Sequence, residues 1–482
     1  MLFNSYEFIF IFFPAVLAIY FVAGKIDAAR AKEGKFSSTA NIWLTVASFA
    51  FYGWWDVKFL PLLAVSILVN YFIAGKILSS REENQKTRRS KIFFLLGLAF
   101  NIGLLGYFKY LDFFLATLNR LGANFELLHL ILPLGISFFT ITQLLYIYDC
   151  CEGTVRDRNF IDYALFVSFF PHLMAGPILY HRQMLKQFRD VKLRRPDFDN
   201  LSHGLTIFII GLAKKVIVAD SLSPYVQFGY THVNDLTGTV AWLTAVCYML
   251  QLYFDFSGYS DMAVGLARMM NYEIPINFNS PYRATGMINF WQRWHISLTN
   301  AITACVYIPL VRQFKSKTVA NTAAASFITF FIVGIWHGAG MTFVIFAILN
   351  AAGVVANFLW RQKFSMPKVL AHVVTLFHVL ITLIFFRANS VHDALVVIKK
   401  MFAGLANFSD VLNLPEYIAA SPVELPKFIF VAAILIVAFC PNSNKLTKNL
   451  KPNFLSAAIL ALLFLYSVLH LSGVTEFLYF QF

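Results

Sequence analysis

Apolar runs recur along the chain near residues 7–24, 39–55, 59–78, 91–118, 128–149, 204–219, 239–256, 322–336, 339–360, 369–386, 424–440 and 453–472. The hydrocarbon layer of a bilayer is about 30 Å thick, and about 20 predominantly apolar residues cross it as a helix. In lipid every backbone polar group must find its partner within the segment, so the runs predict helices. The pattern therefore predicts an all-α polytopic membrane protein with roughly eleven transmembrane helices, a few of the runs being short or buried.

The middle of the chain breaks this rhythm. Between Phe160 and Phe314 the apolar runs are short and interrupted by Gly176-Pro177, Gly258, Pro275, Pro281 and Gly286, with Asp, Asn, Arg and His among them. Irregular backbone at membrane depth is tolerated only inside protein or along a wet cavity. Short or re-entrant helices are expected there, forming a thin core surrounded by the cleaner spans. A single domain is expected over residues 1–482, with peripheral spans at about 1–150, the core at about 160–360 and further spans at about 369–482.

Composition agrees: 59% of the 482 residues are hydrophobic and 13% charged, where a soluble chain carries roughly 45–50% and 25%. The net charge of +14 comes from 39 basic and 25 acidic residues. Nucleic acid is not the expected partner, because the basic residues sit between apolar runs, as the positive-inside rule has it. Lys25, Arg30, Lys32 and Lys35 follow the first run and none precedes it, which predicts a retained anchor with the N-terminus outside. The basic loops near 25–35, 79–91 and 441–452 are expected in the cytoplasm, and the acid-containing loop Asn407–Pro426 outside. The five cysteines, Cys150, Cys151, Cys247, Cys305 and Cys440, lie in or beside apolar stretches without metal-ligand spacing and read as packed thiols.

Three constellations carry candidate chemistry. In the first, from Phe290 to Leu298, a helix would align Asn289, Gln292, His295 and Thr299 as one polar face lining a cavity, with Trp291, Arg293 and Trp294 around it. The same residues would also suit an interfacial Trp-Arg belt. The second is Gly334-Ile335-Trp336-His337-Gly338-Ala339-Gly340, a histidine between two long apolar runs with small neighbours that permit close approach. Ionisable groups within a span are costly and mark function, although a hydrogen-bonded core histidine at a helix break fits as well. The third places Asp255 and Asp261 six residues apart across Gly258, where capping by Ser257 or Ser260 and pairing with Arg268, Arg283 or Arg293 are expected. A neutral imidazole can accept a hydroxyl proton at physiological pH, so two histidines in one cavity point to acyl transfer onto an alcohol. Broken helices and an intramembrane histidine also suit a proton-coupled secondary transporter, but that reading calls for symmetry between halves, and the elements at 294–295 and 336–337 lie on unlike backgrounds.

The chain resembles the membrane-bound O-acyltransferase superfamily, in its alginate O-acetyltransferase-like branch, over nearly its whole length. The likeness rests on an ordered series: Leu2-Phe3-Asn4-Ser5, Phe51-Tyr52-Gly53-Trp54-Trp55, Gly106-Tyr107-Phe108-Lys109-Tyr110, the stretches 132–140, 169–178 and 255–263, Asn277 to Tyr282, Trp291 to Leu298 and Trp336 to Ala339. The resemblance implies helices ringed around a thin core with a central tunnel, His337 as the superfamily's intramembrane histidine and His295 as the second histidine of the polysaccharide-modifying branch. It implies acetyl transfer from cytoplasmic acetyl-coenzyme A, a substrate rather than a resident cofactor, across a bacterial inner membrane to an exported polysaccharide or cell-wall polymer, through a periplasmic acetyltransferase partner. D-alanyl transfer to teichoic acid and lipid acylation are the alternatives within the superfamily. Lys214, Lys215, Lys315 and Lys317 are the basic residues expected near the coenzyme's phosphates, and they fit the positive-inside rule equally well. No metal is expected. The chain departs from the family after Ser297-Leu298, where a Trp-Leu-Arg-Asp-Tyr-like stretch is replaced by Thr299-Asn300-Ala301-Ile302-Thr303.

Overall fold

The computed structural model describes residues 1–33, 38–82, 85–155, 158–314, 316, 318–404, 426–471 and 478, and the described residues form helices without a named strand. Lys315, Lys317, Lys35 and nearly all of the loop from Asn407 lie outside them. Among the described residues six helices are long and apolar enough to span a bilayer: Phe8–Lys32, Val57–Ser79, Arg88–Arg120, Val319–His337, Met341–Lys363 and Lys368–Arg387. A seventh candidate is the pair Lys427–Phe439 and Ser443–Asn449, bent by 73°. Several other apolar runs form shorter helices: Thr39–Gly53 has 15 residues, about 22 Å at 1.5 Å per residue and so short of the hydrocarbon layer.

The chain divides into two compact units, Met1–Ile209 with Tyr259–Ile276, and Ile210–Gly258 with Asn277–Phe482. In the first, polar side chains join helices that hydrophobicity alone would leave equivalent in lipid. Asn70 and Asn101 exchange amide hydrogen bonds of 3.3 and 2.6 Å between two spans, and Gln143 donates to Ser66 (2.9 Å) while accepting from the Tyr163 hydroxyl (3.1 Å). Asp27, fully buried, accepts from the backbone N–H groups of Thr39 and Ala40 and pairs with buried Arg194, which holds the start of the next helix in place.

In the second unit Val319–His337 and Met341–Lys363 form a hairpin turned by Gly338-Ala339-Gly340. A Cβ on Gly334 would lie 2.4 Å from the Cα of Ala347, so the small residue lets the two backbones touch. Helix Gly238–Met269 runs 32 residues through Gly258 without a break, and its residues 251–260 are all buried. The expected capping by Ser257 or Ser260 is therefore corrected: both lie in mid-helix. Buried inside protein, this helix can carry Gln251, Asp255, Ser257 and Ser260 where a lipid-facing span could not.

The candidate active site

The expected helix through Asn289 and Thr299 does not form. Met287–Trp291 is a five-residue helix, and a new one, Ile296–Ile302, starts after a turn in which His295 adopts the left-handed conformation (φ 46°, ψ 51°). Such a conformation is uncommon for a residue with a Cβ and is held by its surroundings. Here the holding group is Asn277. Its carboxamide oxygen accepts from the Ser297 hydroxyl (2.6 Å) and backbone N–H (3.3 Å), and lies 3.4 Å from His295 Nδ1. The backbone of Asn277 also accepts from Ile296 N–H at 3.0 Å. The break sends the four polar residues apart: Asn289 and Gln292 face one pocket, whereas His295 is fully buried against the edge of the Phe256 ring, 4.8 Å between centroids.

His337 ends its helix, since Gly338 leaves helical geometry, and its side chain is 4% exposed. Its ring meets Phe346 and Phe386 edge-on at 6.0 and 5.4 Å. Trp336 is the link between the two histidines, 5.1 Å from His337 and 6.4 Å from His295 by ring centroids. His337 lines a narrow cavity of about 20 Å³ together with Phe290, Trp291, Trp294, Asn350 and Thr382, which is space for about one water molecule. Trp294 and His337 thus meet at the cavity, and His295 and Trp336 stand behind them.

A second, larger pocket of about 710 Å³ is lined from helices Met287–Trp291, Met341–Lys363 and Lys368–Arg387 and the residues beside them, with Asn289, Gln292, Asn357, Trp360, Arg361 and His378 in its wall. Helix Lys368–Arg387 orders these features like a ruler. Thr375 and His378 line the larger pocket, and Val379, Thr382, Leu383 and Phe386 line the narrow cavity. Arg293 sits beside them, donating to Asn289 (3.1 Å) and to the Asn279 carbonyl (3.2 Å).

The basic and acidic candidates are placed otherwise. Lys215 is 3% exposed, and its ammonium is shared by Asp255 (2.6 Å) and Asp220 (2.8 Å). An arginine was the expected partner of Asp255; Lys215 takes that place, and Asp255 also accepts from Leu478 N–H at 3.1 Å. Arg268 pairs instead with Glu273, and Arg283 donates to the carbonyls of Val437 and Cys440 that end a helix. Asp261 is buried on the same helix as Asp255 but in the other unit. Lys214 faces an apolar groove with its Nζ 5.9 Å from the centre of the Tyr253 ring.

Sequence reasoning missed Asn277, Phe346, Asn350, Thr382 and Phe386. Asn277 was visible as the first residue of an ordered motif, but the role of its oxygen depends on a turn that no periodicity announces. The others read as ordinary members of apolar runs, and only the packing of three helices shows which face the histidine.

Asn289 and Gln292 line the larger pocket and His337 the narrow cavity, and helix Lys368–Arg387 contributes to both. Residues 152–392 match the model of the MBOAT, membrane-bound O-acyltransferase family, and the chain belongs to that family. It is an O-acyltransferase of the membrane. Similar proteins include a peptidoglycan O-acetyltransferase of Helicobacter pylori, 37% identical over 100% of this chain and 98% of that one. A probable alginate O-acetylase, AlgI, of Pseudomonas putida is 35% identical over the full length of both. A teichoic acid D-alanyltransferase of Bacillus subtilis is 29% identical over 49% of this chain and 62% of its own length.

Proposed function

We propose that this O-acyltransferase moves acetyl groups from cytoplasmic acetyl-coenzyme A to a hydroxyl presented outside, for O-acetylation of an exported polysaccharide or cell-wall polymer. The periplasmic acceptor is reached directly or through an acetyltransferase partner. The observation that carries this reading is the succession of pocket and cavity along helix Lys368–Arg387, with His337 in the cavity. The larger pocket lies toward Arg361, Lys363 and Lys368, a basic turn that the positive-inside rule assigns to the cytoplasm. Its volume, about 710 Å³, suits the end of a large ligand. Asn289, Gln292 and Asn357 offer hydrogen bonds to an amide-bearing arm, and Trp360 with Arg361 offers a ring and a cation to the nucleotide. Lys315 and Lys317, outside the described residues, and Lys214 keep the part expected of them, drawing in the phosphates by their charge. The tunnel and the full set of about eleven spans are part of the same proposal.

In the chemical step His337 removes the acceptor's hydroxyl proton as the oxygen attacks the thioester carbonyl carbon. The C–S bond then breaks, an ester forms, and the proton passes to the departing thiolate. Trp294 and Phe386 close the cavity to water, which would otherwise hydrolyse the thioester. His295 touches neither reactant; held by Asn277, it positions Trp336 and, through it, the His337 ring.

Among the acyl groups, acetyl is favoured over D-alanyl because both relatives aligned along the whole chain are O-acetylating by name, whereas the D-alanyltransferase aligns with half of it. The test uses inside-out membrane vesicles given acetyl-labelled coenzyme A. Label is expected in alkali-labile esters on the lumenal side, and uptake should weaken as salt rises because the donor is met by charge. Label confined to the outer side, or transfer only of D-alanine, would overturn the reading.

A further inference from the structure

Acyl transfer places negative charge on the carbonyl oxygen of the acyl group, because the electron pair of the C=O bond moves onto that oxygen as the hydroxyl attacks. A donor fixed in the cavity wall would hold that charge. Phe290, Phe346 and Phe386 carry no polar side-chain atom, and His337 is occupied with the hydroxyl proton. Asn350 donates to the Phe346 carbonyl (2.9 Å) and the Thr382 hydroxyl to the Val379 carbonyl (2.8 Å), each within its own helix.

Trp291 differs from these. It is 4% exposed, it lines the cavity together with His337, and its indole Nε1 is buried with no hydrogen-bond partner among the described residues. An indole N–H can only donate, and buried donors nearly always have an acceptor, so one kept without calls for a reason. The packing around the ring supplies no acceptor: its neighbours are Phe290 and Phe330, each 5.5 Å away between centroids. Phe330 precedes His337 by seven residues on helix Val319–His337, about two turns, so both stand on one face of that helix. The indole therefore rests against the face that carries the histidine.

We propose that the Trp291 indole N–H is the donor that stabilises the oxyanion of acyl transfer. The inference rests on the acyl-transfer reading and deepens it. The acceptor oxygen bonds to the carbonyl carbon, its proton goes to His337, and the C=O pair moves onto the carbonyl oxygen, to which Trp291 donates without giving up its proton. When that pair returns, the C–S bond breaks and the departing thiolate takes the proton from His337. The cavity, about 20 Å³, admits a group the size of a carbonyl oxygen. A donor already in place within an apolar wall needs no reorganisation as charge develops, and one such donor contributes about 10²–10³-fold to kcat.

The experiment replaces the indole of Trp291 in the full-length protein by the benzothiophene of 3-benzothienylalanine, which puts sulfur where the N–H was and keeps the shape of the ring. Transfer is followed in inside-out vesicles given acetyl-labelled coenzyme A, as label in alkali-labile esters. The kcat is expected to fall about 10²–10³-fold with little change in the KM for acetyl-coenzyme A. Trp291→Phe should show a loss at least as large. A second readout is the infrared carbonyl stretch of acetyl-coenzyme A, labelled with ¹³C at that carbonyl and bound to purified protein in nanodiscs in the His337→Ala background. A hydrogen bond from Trp291 lowers this frequency, so the band should move up when sulfur replaces the N–H. An unmoved band would overturn the proposal. So would loss of transfer in Trp291→Phe with retention in the benzothienyl variant, since ring size rather than the N–H would then matter. If the unaltered protein consumed no acetyl-coenzyme A, the acyl-transfer reading itself would fall, whereas normal transfer by the benzothienyl variant would remove this inference alone.

Discussion

The two Trp-His pairs, Trp294-His295 and Trp336-His337, are the same dipeptide used in opposite senses. In the first, tryptophan faces the narrow cavity and histidine is buried behind it; in the second, histidine faces the cavity and tryptophan stands between the two imidazoles. The cause is the backbone. His295 is turned away by its left-handed conformation at the start of a helix, whereas His337 ends a helix in ordinary geometry and is followed by Gly338. A Cβ on Gly338 would lie 2.2 Å from the Phe343 ring, so the position behind His337 admits no larger residue without a shift. Two residues with equal chemistry are thus placed unequally: His337 lines the cavity and His295, at a left-handed turn, does not.

The largest effect should separate them at once. His337→Ala should lower acetyl transfer by roughly 10²–10⁴-fold, the range for losing a positioned general base, in protein that still inserts and still binds donor. Ester content of the exported polymer, read against protein level in the membrane, is the measurement. Near-normal acetylation would end the proposal that His337 is the base, and loss of the protein itself would make the residue a packing group instead.

His295→Ala should cost less, about 10–100-fold, since a positioning residue acts only through the geometry it maintains. Its effect should fall on kcat more than on KM, because the pocket lined by Asn289 and Gln292, the proposed donor site, does not include it. An effect as large as that of His337→Ala would break the comparison and put both imidazoles on the reactants.

Asn277→Ala should come next. It leaves the Ser297 hydroxyl and the His295 turn without their common acceptor, at a cost of about 1–3 kcal/mol in stability. If Asn277 acts through His295, the double variant should lose little more activity than His295→Ala alone. Full additivity would show that the two act independently.

The comparison also marks what could be read in advance. The spans Lys368–Arg387 and Met341–Lys363 were legible to within a few residues, because each must bury a long apolar run whatever its neighbours do. His337 was legible for the related reason that a histidine between two such runs is conspicuous. The His295 turn was hidden: its residues keep a helical spacing of polar groups, while the tertiary bonds to Asn277 hold the break in the helix there. Lys215 was misread for want of the same information. It was expected near the coenzyme's phosphates, whereas Asp220 and Asp255 draw it into the interior.

The smallest effect concerns the backbone of His295 apart from its ring. A residue with a Cβ pays about 1–2 kcal/mol in the left-handed region, and asparagine visits that region more readily than alanine does. His295→Asn and His295→Ala both remove the imidazole, so both should lose its positioning effect on His337. They should differ in thermal stability, with His295→Asn the more stable by about 1 kcal/mol, the local strain being relieved by the residue type rather than by any contact. Unfolding midpoints of the two variants in the same detergent measure that difference. Equal midpoints would mean that the turn relaxes to ordinary geometry once the ring is gone; the Asn277 and Ser297 hydrogen bonds alone would then be too weak to hold it, and the ring itself would be what keeps the two Trp-His pairs unlike.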